Sequence, residues 1–291
     1  MIDRIAAAPI SWGVCEVPGW GLQMSPSRIL GEMAELGITK TELGALGWLP
    51  DEVAQLRPLL DQFNMSILGG FVPLVLHHGT SHPGSIEAAH AAAKTLSDAG
   101  GQYFVAAIIS SMESWDRPTL DETEWSTLFE GIAETEKVVA QYGLTQVVHP
   151  HVNTLIETDD EFQRFLNSSP SLFCLDTGHL FIGNADPVAI AEKHGDRVGL
   201  VHIKDVDKSI AARFRAGEFD WMGAIQQGLF PSAGSGDAPI AATVRTLEES
   251  GYAGWYVLEQ DVALTEGEPP LGEGPVHGVR KSIEYLKSLA G

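Results

Sequence analysis

Four short segments in the second half of the chain end in residue types that hold metal ions or move protons. They are His149-Pro-His151, Asp176-Thr-Gly-His179, His202-Ile-Lys-Asp205 and Glu259-Gln-Asp261. Two imidazoles and two carboxylates brought to one point suit a divalent cation of the Mn²⁺, Co²⁺ or Zn²⁺ kind, because nitrogen and oxygen donors match such ions. The expected ligand set is His149, Asp176, His202 and Glu259. His151 shares a strand face with His149, since strand side chains repeat every two residues. Either can be the ligand, and His149 is preferred.

Each residue also has a plainer reading. Asp176 stands where a carboxylate caps the next helix. Lys204 can form a structural ion pair with Glu259 or Asp261, and His202 follows an apolar run as a core histidine would. A single ion satisfies all four groups at once, and this favours the metal reading. Glu259, Lys204 and His179 are the expected acid–base groups. An ammonium beside a divalent ion should have a lowered pKa. Trp12, Glu42, His151 and Asp205 are the residues expected to meet the substrate, with Trp12, Trp20 and Trp48 as aromatic walls for a ring. His77, His78 and His82 read as a separate loop cluster.

Elements must position these groups, and the pattern supplies them. Strands are predicted at Ile5–Ile10, Lys40–Leu43, Ser66–Phe71, Tyr103–Ile109, Thr145–His149, Leu172–Asp176, Val198–Lys204 and Trp255–Glu259. Helical stretches alternate with them, predicted at Pro26–Leu36, Pro50–Phe63, Ser85–Ala99, Glu122–Tyr142, Asp159–Leu166, Pro187–His194, Pro239–Ser250 and His277–Leu289. Trp125, Leu128, Phe129, Ile132 and Ala133 recur by three and four, as one buried helix face requires. Gly37, Gly100, Gly143 and Gly251 follow helical runs, where glycine closes a helix without a Cβ penalty. Strict alternation with short connections implies parallel strands. Eight units of about 36 residues fit a (β/α)₈ TIM barrel of one domain spanning residues 1–291. In such barrels catalytic groups project from the C-terminal strand ends, where the four segments lie. A long insert, about residues 205–237, reads as a lid or rim over that mouth.

Composition narrows the partners. The chain has 291 residues and a formal net charge of −21. A surface that acidic repels phosphate backbones and anionic membranes, whose binding relies on Lys and Arg. No nucleic acid or membrane partner is expected, and a homo-oligomer is compatible with these features. Two cysteines, Cys15 and Cys174, read as free thiols in a reducing compartment. The N-terminus lacks a basic, apolar leader pattern, so a cytoplasmic location is expected.

The segments Leu175-Asp-Thr-Gly-His-Leu180 and Val201-His-Ile-Lys-Asp205, with Glu259, resemble the xylose-isomerase-like sugar phosphate isomerase/epimerase superfamily over essentially the whole chain. Ala8-Pro-Ile-Ser-Trp-Gly13 and His149-Pro-His151 more narrowly resemble the inosose (2-keto-myo-inositol) dehydratases of inositol catabolism. The resemblance implies one divalent ion, Mn²⁺ or Co²⁺ foremost with Zn²⁺ or Mg²⁺ as alternatives. It also implies a polyhydroxy ketone substrate of the polyol or keto-sugar class. Superfamily epimerases usually carry a glutamate on strand five, and here that place holds His149. A metal-bound histidine is a poor base, so two-base epimerisation loses a partner, whereas elimination needs one base and one acid. The expected activity is therefore dehydration through an enediolate, with isomerisation or epimerisation of a ketose or inosose as the alternative. An apurinic-site nuclease shares part of the pattern, but the negative charge and Arg213-Phe-Arg215, where an Asp-x-His motif would stand, argue against it.

Overall fold

The computed structural model describes residues 1–79, 82–114 and 116–289, apart from the side chains of His82 and Pro83. The His82 side chain named above therefore lies outside the described residues. Eight parallel strands close into a barrel in chain order. They are β1 (Ile5–Ala7), β2 (Lys40–Glu42), β3 (Ser66–Leu74), β4 (Tyr103–Ile108), β5 (Thr145–Val148), β6 (Phe173–Asp176), β7 (Val198–Ile203) and β8 (Tyr256–Leu258). Closure is made by β1 against β8, with Ile5, Ala6 and Ala7 opposite Tyr256, Val257 and Leu258.

Eleven α-helices occur among the described residues: α1 (Pro26–Glu35), α2 (Val53–Gln62), α3 (His82–Asp98), α4 (Glu122–Gln141), α5 (Asp159–Ser168), α6 (Thr177–Ile182), α7 (Pro187–His194), α8 (Lys208–Arg215), α9 (Trp221–Gln226), α10 (Ile240–Glu249) and α11 (Pro275–Ser288). Side chains fix several of their starts. Asp121 and Glu124 form a reciprocal capping box on α4, and Thr158 and Glu161 do so on α5. The four helix-closing glycines have φ of 75° to 84°, as their positions require.

Several boundaries differ from the sequence pattern; β3 runs on to Leu74, α3 starts at His82 and α11 at Pro275. The first strand is short because Pro9–Trp12 turns into a 3₁₀ helix. The second helix starts at Val53 rather than Pro50 and tolerates Pro58 within it. The sixth strand leads at once into α6, a short helix that the alternation of long elements hides.

Strand alternation sorts the core into two layers. Phe104, Ala106, Val148, Phe173, Leu175, Val201, Ile203, Tyr256 and Leu258 face outward and pack with helical residues such as Leu30, Met33, Leu128, Ile132 and Phe165. The intervening residues Ala6, Leu68, Val105, Val147, Cys174, Leu200 and Val257 form a separate apolar plug inside the barrel. A further cluster, Trp20, Val152, Ile182, Val206, Ala211, Ala224, Ile225, Leu229 and Phe230, binds the insert to the loops after β1, β5 and β6.

Asp205 anchors the base of that insert and does not face the substrate side. Its carboxylate accepts the backbone N–H groups of Val206 and Ala238 on Oδ1 and of Gly234 and Gly236 on Oδ2, at 2.8 to 3.1 Å. Contrary to the expectation from sequence, Asp205 is not a substrate contact, because both oxygens are spent on these bonds. Trp12 is likewise removed from the substrate wall. It is fully buried in the main core, and its indole Nε1 donates to Glu32 Oε2 at 2.9 Å.

No helix among the described residues is long and apolar enough to cross a membrane. Both cysteines are free, and burial pushes the Cys15 thiol up to about 12 and the Cys174 thiol up to about 11. The native chain should therefore react slowly with Ellman's reagent at pH 8 and release two equivalents only when unfolded. Fast native labelling would contradict the packing. Asp205→Ala should orphan four amides and cost about 3 kcal/mol. That corresponds to a fall in Tm of roughly 6–12 °C in a thermal melt.

Candidate metal and substrate site

The plug residues Val147, Cys174, Leu200 and Val257 face the barrel axis. Two residues further on stand Asp176 and His202, within β6 and β7, and His149 and Glu259, just past the ends of β5 and β8. Period two carries all four onto the same inward face, one layer higher. His149 Nε2 lies 3.4 Å from Asp176 Oδ2, and His202 Nδ1 lies 3.8 Å from that oxygen and 3.2 Å from Glu259 Oε2. Ligands 2.1 Å from a common ion are separated by about 3.0–3.4 Å in octahedral or tetrahedral geometry, so most of these contacts have the spacing of coordination edges. Among the described residues, three overlapping trios offer ligand atoms within 4.8 Å of one another: His149, Asp176 and His179; His149, Cys174 and His202; and Glu42, His202 and Glu259.

Asp176 caps the next helix, the plainer of the roles read from its position. Oδ1 accepts from Gly178 N and His179 N at 2.8 Å each, capping α6, while Oδ2 remains turned toward the two histidines. His202 Nδ1 is buried and has no hydrogen-bond partner. A buried nitrogen facing two carboxylate oxygens is a natural ligand atom, and with His149 and Asp176 the set suits a divalent metal ion.

The motif after β6 also builds the next layer. Thr177 Oγ1 donates to Lys204 O at 2.8 Å and accepts from Lys204 N at 3.0 Å. Gly178 leaves room for the lysine stem: a Cβ there would lie 2.7 Å from Lys204 Cγ. Lys204 Nζ then reaches Asp261 Oδ1 at 2.6 Å and Glu259 Oε2 at 3.2 Å, with the Phe230 ring centroid 4.8 Å away.

Burial opposes the ammonium, but Asp261, Glu259 and Asp176 outweigh it and hold Lys204 above its ordinary value. The direction is opposite to that expected beside an ion alone, since three carboxylates face this amine. Burial would raise Glu259, yet His202 and Lys204 hold it well below the usual carboxylate range. Asp261 is pushed up to about 6 by burial, with Lys204 opposing. Burial also works against a charged His202, but Cys174, Glu259 and Glu42 raise it well above the usual imidazole value.

His151 stands off the ligand centre. Its ring stacks on His179 at 3.7 Å, with Trp221 6.2 Å from each. Val152 fixes the protons on both neutral rings. His151 Nδ1 donates to Val152 O at 2.6 Å, leaving Nε2 as an acceptor. His179 Nδ1 accepts from Val152 N at 3.4 Å, so Nε2 carries the hydrogen and is left buried without a partner. Burial holds His151 down at about 3 and His179 well below its ordinary value. Glu42 comes from the far side of the barrel and meets His202 Nε2 at 3.2 Å.

Sequence reading missed Phe71, Trp221 and Phe230 as neighbours of the site. Phe71, whose ring stands edge-on to His149 and His151, carried no signal in the sequence.

Residues 30–289 match the model of the xylose isomerase-like TIM barrel family. The chain belongs to that family. Within this xylose isomerase-like family, inosose dehydratase of Geobacillus kaustophilus (strain HTA426) is 29% identical over 298 residues, covering 98% of this chain and 94% of that protein. Inosose dehydratase of Bacillus licheniformis (strain ATCC 14580) is 30% identical over 265 residues, 87% of each. The crystal structure of the IOLI protein with a binding zinc atom has a TM-score of 0.73 at 13% identity, covering 98% of this chain and 97% of that one. With relatives of this kind along its whole length, this xylose isomerase-like barrel is an enzyme.

Gly178→Ala should force Lys204 away from Asp261 and Glu259. A loss of about 1–3 kcal/mol is expected from such overpacking, read as a lower Tm, with a displaced Lys204 in a crystal structure of the variant.

Proposed function

We propose that the chain is a divalent-metal-dependent hydro-lyase of inositol catabolism that dehydrates 2-keto-myo-inositol. One observation carries the reading. His149, not a carboxylate, occupies the inward position on the strand-five side, so Glu259 is the single ligand carboxylate placed to take a substrate proton there. That asymmetry suits elimination rather than two-base epimerisation. Full-length relatives named inosose dehydratase support the substrate.

His149, Asp176, His202 and Glu259 are the residues that would hold the ion. When bound, it would supply Lewis-acid polarisation of the substrate ketone and a neighbouring hydroxyl; Mn²⁺ or Co²⁺ is the proposed metal, with Zn²⁺ or Mg²⁺ as alternatives. Roles for the remaining groups follow from their protons. Lys204 is held as an ammonium by Asp261 and Glu259, so it donates and does not abstract. His179 has its hydrogen on Nε2, which makes it a donor to the departing hydroxyl. Glu259, held ionised, is left as the base.

The α C–H bond breaks to Glu259, its electron pair forms the new C=C, and the β C–O bond breaks. The leaving oxygen takes a proton from the Lys204 ammonium while His179 Nε2–H hydrogen-bonds to it, and one water is released. His151 Nε2 accepts from a substrate hydroxyl, and Trp221 and Phe230 flank the ring.

Metal-loaded protein supplied with 2-keto-myo-inositol should release water and form, once the first-formed enol tautomerises, the saturated cyclic dione, followed by its ultraviolet absorbance. Glu259→Gln should lower kcat by about 10²–10⁴-fold. Deuterium uptake from solvent with interconversion of ketose epimers and no loss of water would overturn the dehydratase and leave an epimerase.

A further inference from the structure

Glu42 sits at the end of β2, on the opposite side of the barrel from the four strands that supply the site. It is buried, 3% exposed, and Oε1 lies 3.2 Å from His202 Nε2. It arrives there through an irregularity in the sheet. Pairing between β2 and β3 steps from Thr41–Ile67 to Glu42–Gly69, so β3 carries one extra residue at that point. Such a bulge bends the local sheet and re-aims the side chains beside it. Gly69, on the other flank of the bulge, packs tightly against β4, where a Cβ would lie 2.7 Å from Tyr103 O.

The other nitrogen of the same ring, His202 Nδ1, has no hydrogen-bond partner and faces Glu259 Oε2 at 3.2 Å and Asp176 Oδ2 at 3.8 Å. An imidazole that ligates an ion through Nδ1 must leave that lone pair free. Its one proton then sits on Nε2, where a carboxylate can accept it, fix the ring and make it a stronger ligand. Glu42 has this place and this chemistry.

We propose that Glu42 is a positioning residue that fixes the tautomer and orientation of His202, and is neither a metal ligand nor a substrate contact. This rests on the metal reading of the proposed function. It replaces the substrate role that the sequence suggested for Glu42, because its carboxylate is engaged with His202 inside the barrel.

Two variants and one spectrum test it. Glu42→Gln keeps an oxygen acceptor for Nε2–H, whereas Glu42→Leu removes it. Zn²⁺ affinity is measured by competition with a chromophoric chelator, with folding checked by circular dichroism. Glu42→Leu should weaken Zn²⁺ binding about 10–100-fold, and Glu42→Gln by a few-fold at most. Equal, large losses in both variants would make Glu42 a ligand. Unchanged affinity in both, with a raised KM, would return it to the substrate. Either result overturns the proposal.

Should Glu42→Leu not fold, ¹⁵N correlation spectra of the Zn²⁺-loaded wild type decide alone, with the His202 signal assigned by its loss in His202→Gln. Hydrogen on Nε2 and none on Nδ1 is expected, and the opposite tautomer overturns the assignment. A chain that takes up Zn²⁺ but fails these tests loses only the role of Glu42. One that takes up no divalent ion loses the metal reading as well.

Discussion

The arrangement of the site depends on the period of two along each barrel strand. Val147, Cys174, Leu200 and Val257 seal the barrel axis with apolar side chains. One step higher, the same strands have no choice but to present His149, Asp176, His202 and Glu259 to the same axis. The apolar plug is thus the floor of the site. It closes the site from below and lowers the local dielectric under a cluster of charges, strengthening each interaction among them.

Charge balance is the second constraint. Asp176 and Asp261 are buried beside a half-buried Glu259, and carboxylates in that state require partners. Lys204 supplies one positive charge, and its stem passes over Gly178, where no side chain obstructs it. The Asp-Thr-Gly-His segment therefore has four separate duties: a cap with a free oxygen, a stitch to the next strand, a gap for a lysine, and an imidazole at the wall.

Much of this was legible in the sequence, and the same rule explains where the reading failed. The eight strands and the residues at their ends could be read because strand alternation is local. Asp205 was misread although the rule excludes it: if His202 and Lys204 face inward, residue 205 must face away. Asp261, two residues beyond Glu259, obeyed the rule and pairs with Lys204. Glu42 was visible as a carboxylate at a strand end, but its meeting with His202 depends on an extra residue in β3 and on closure of the barrel across 160 positions. Neither is encoded in a local pattern. Trp12 lay beyond a strand that Pro9 ends early, so its expected loop was a buried turn. The wall of Trp221 and Phe230 depends on how the insert packs, which sequence periodicity does not fix.

Val152 has a wider consequence. Its amide and its carbonyl, not its side chain, dictate where hydrogens reside on two adjoining rings. Replacing that valine leaves both instructions in place; only a detour of the peptide chain itself would erase them. Asn153, with φ of 67°, holds the turn that follows. The complementary faces of the imidazole pair are therefore inherited from the route of the loop, and the protein can vary its residues there while what it offers a ligand stays constant.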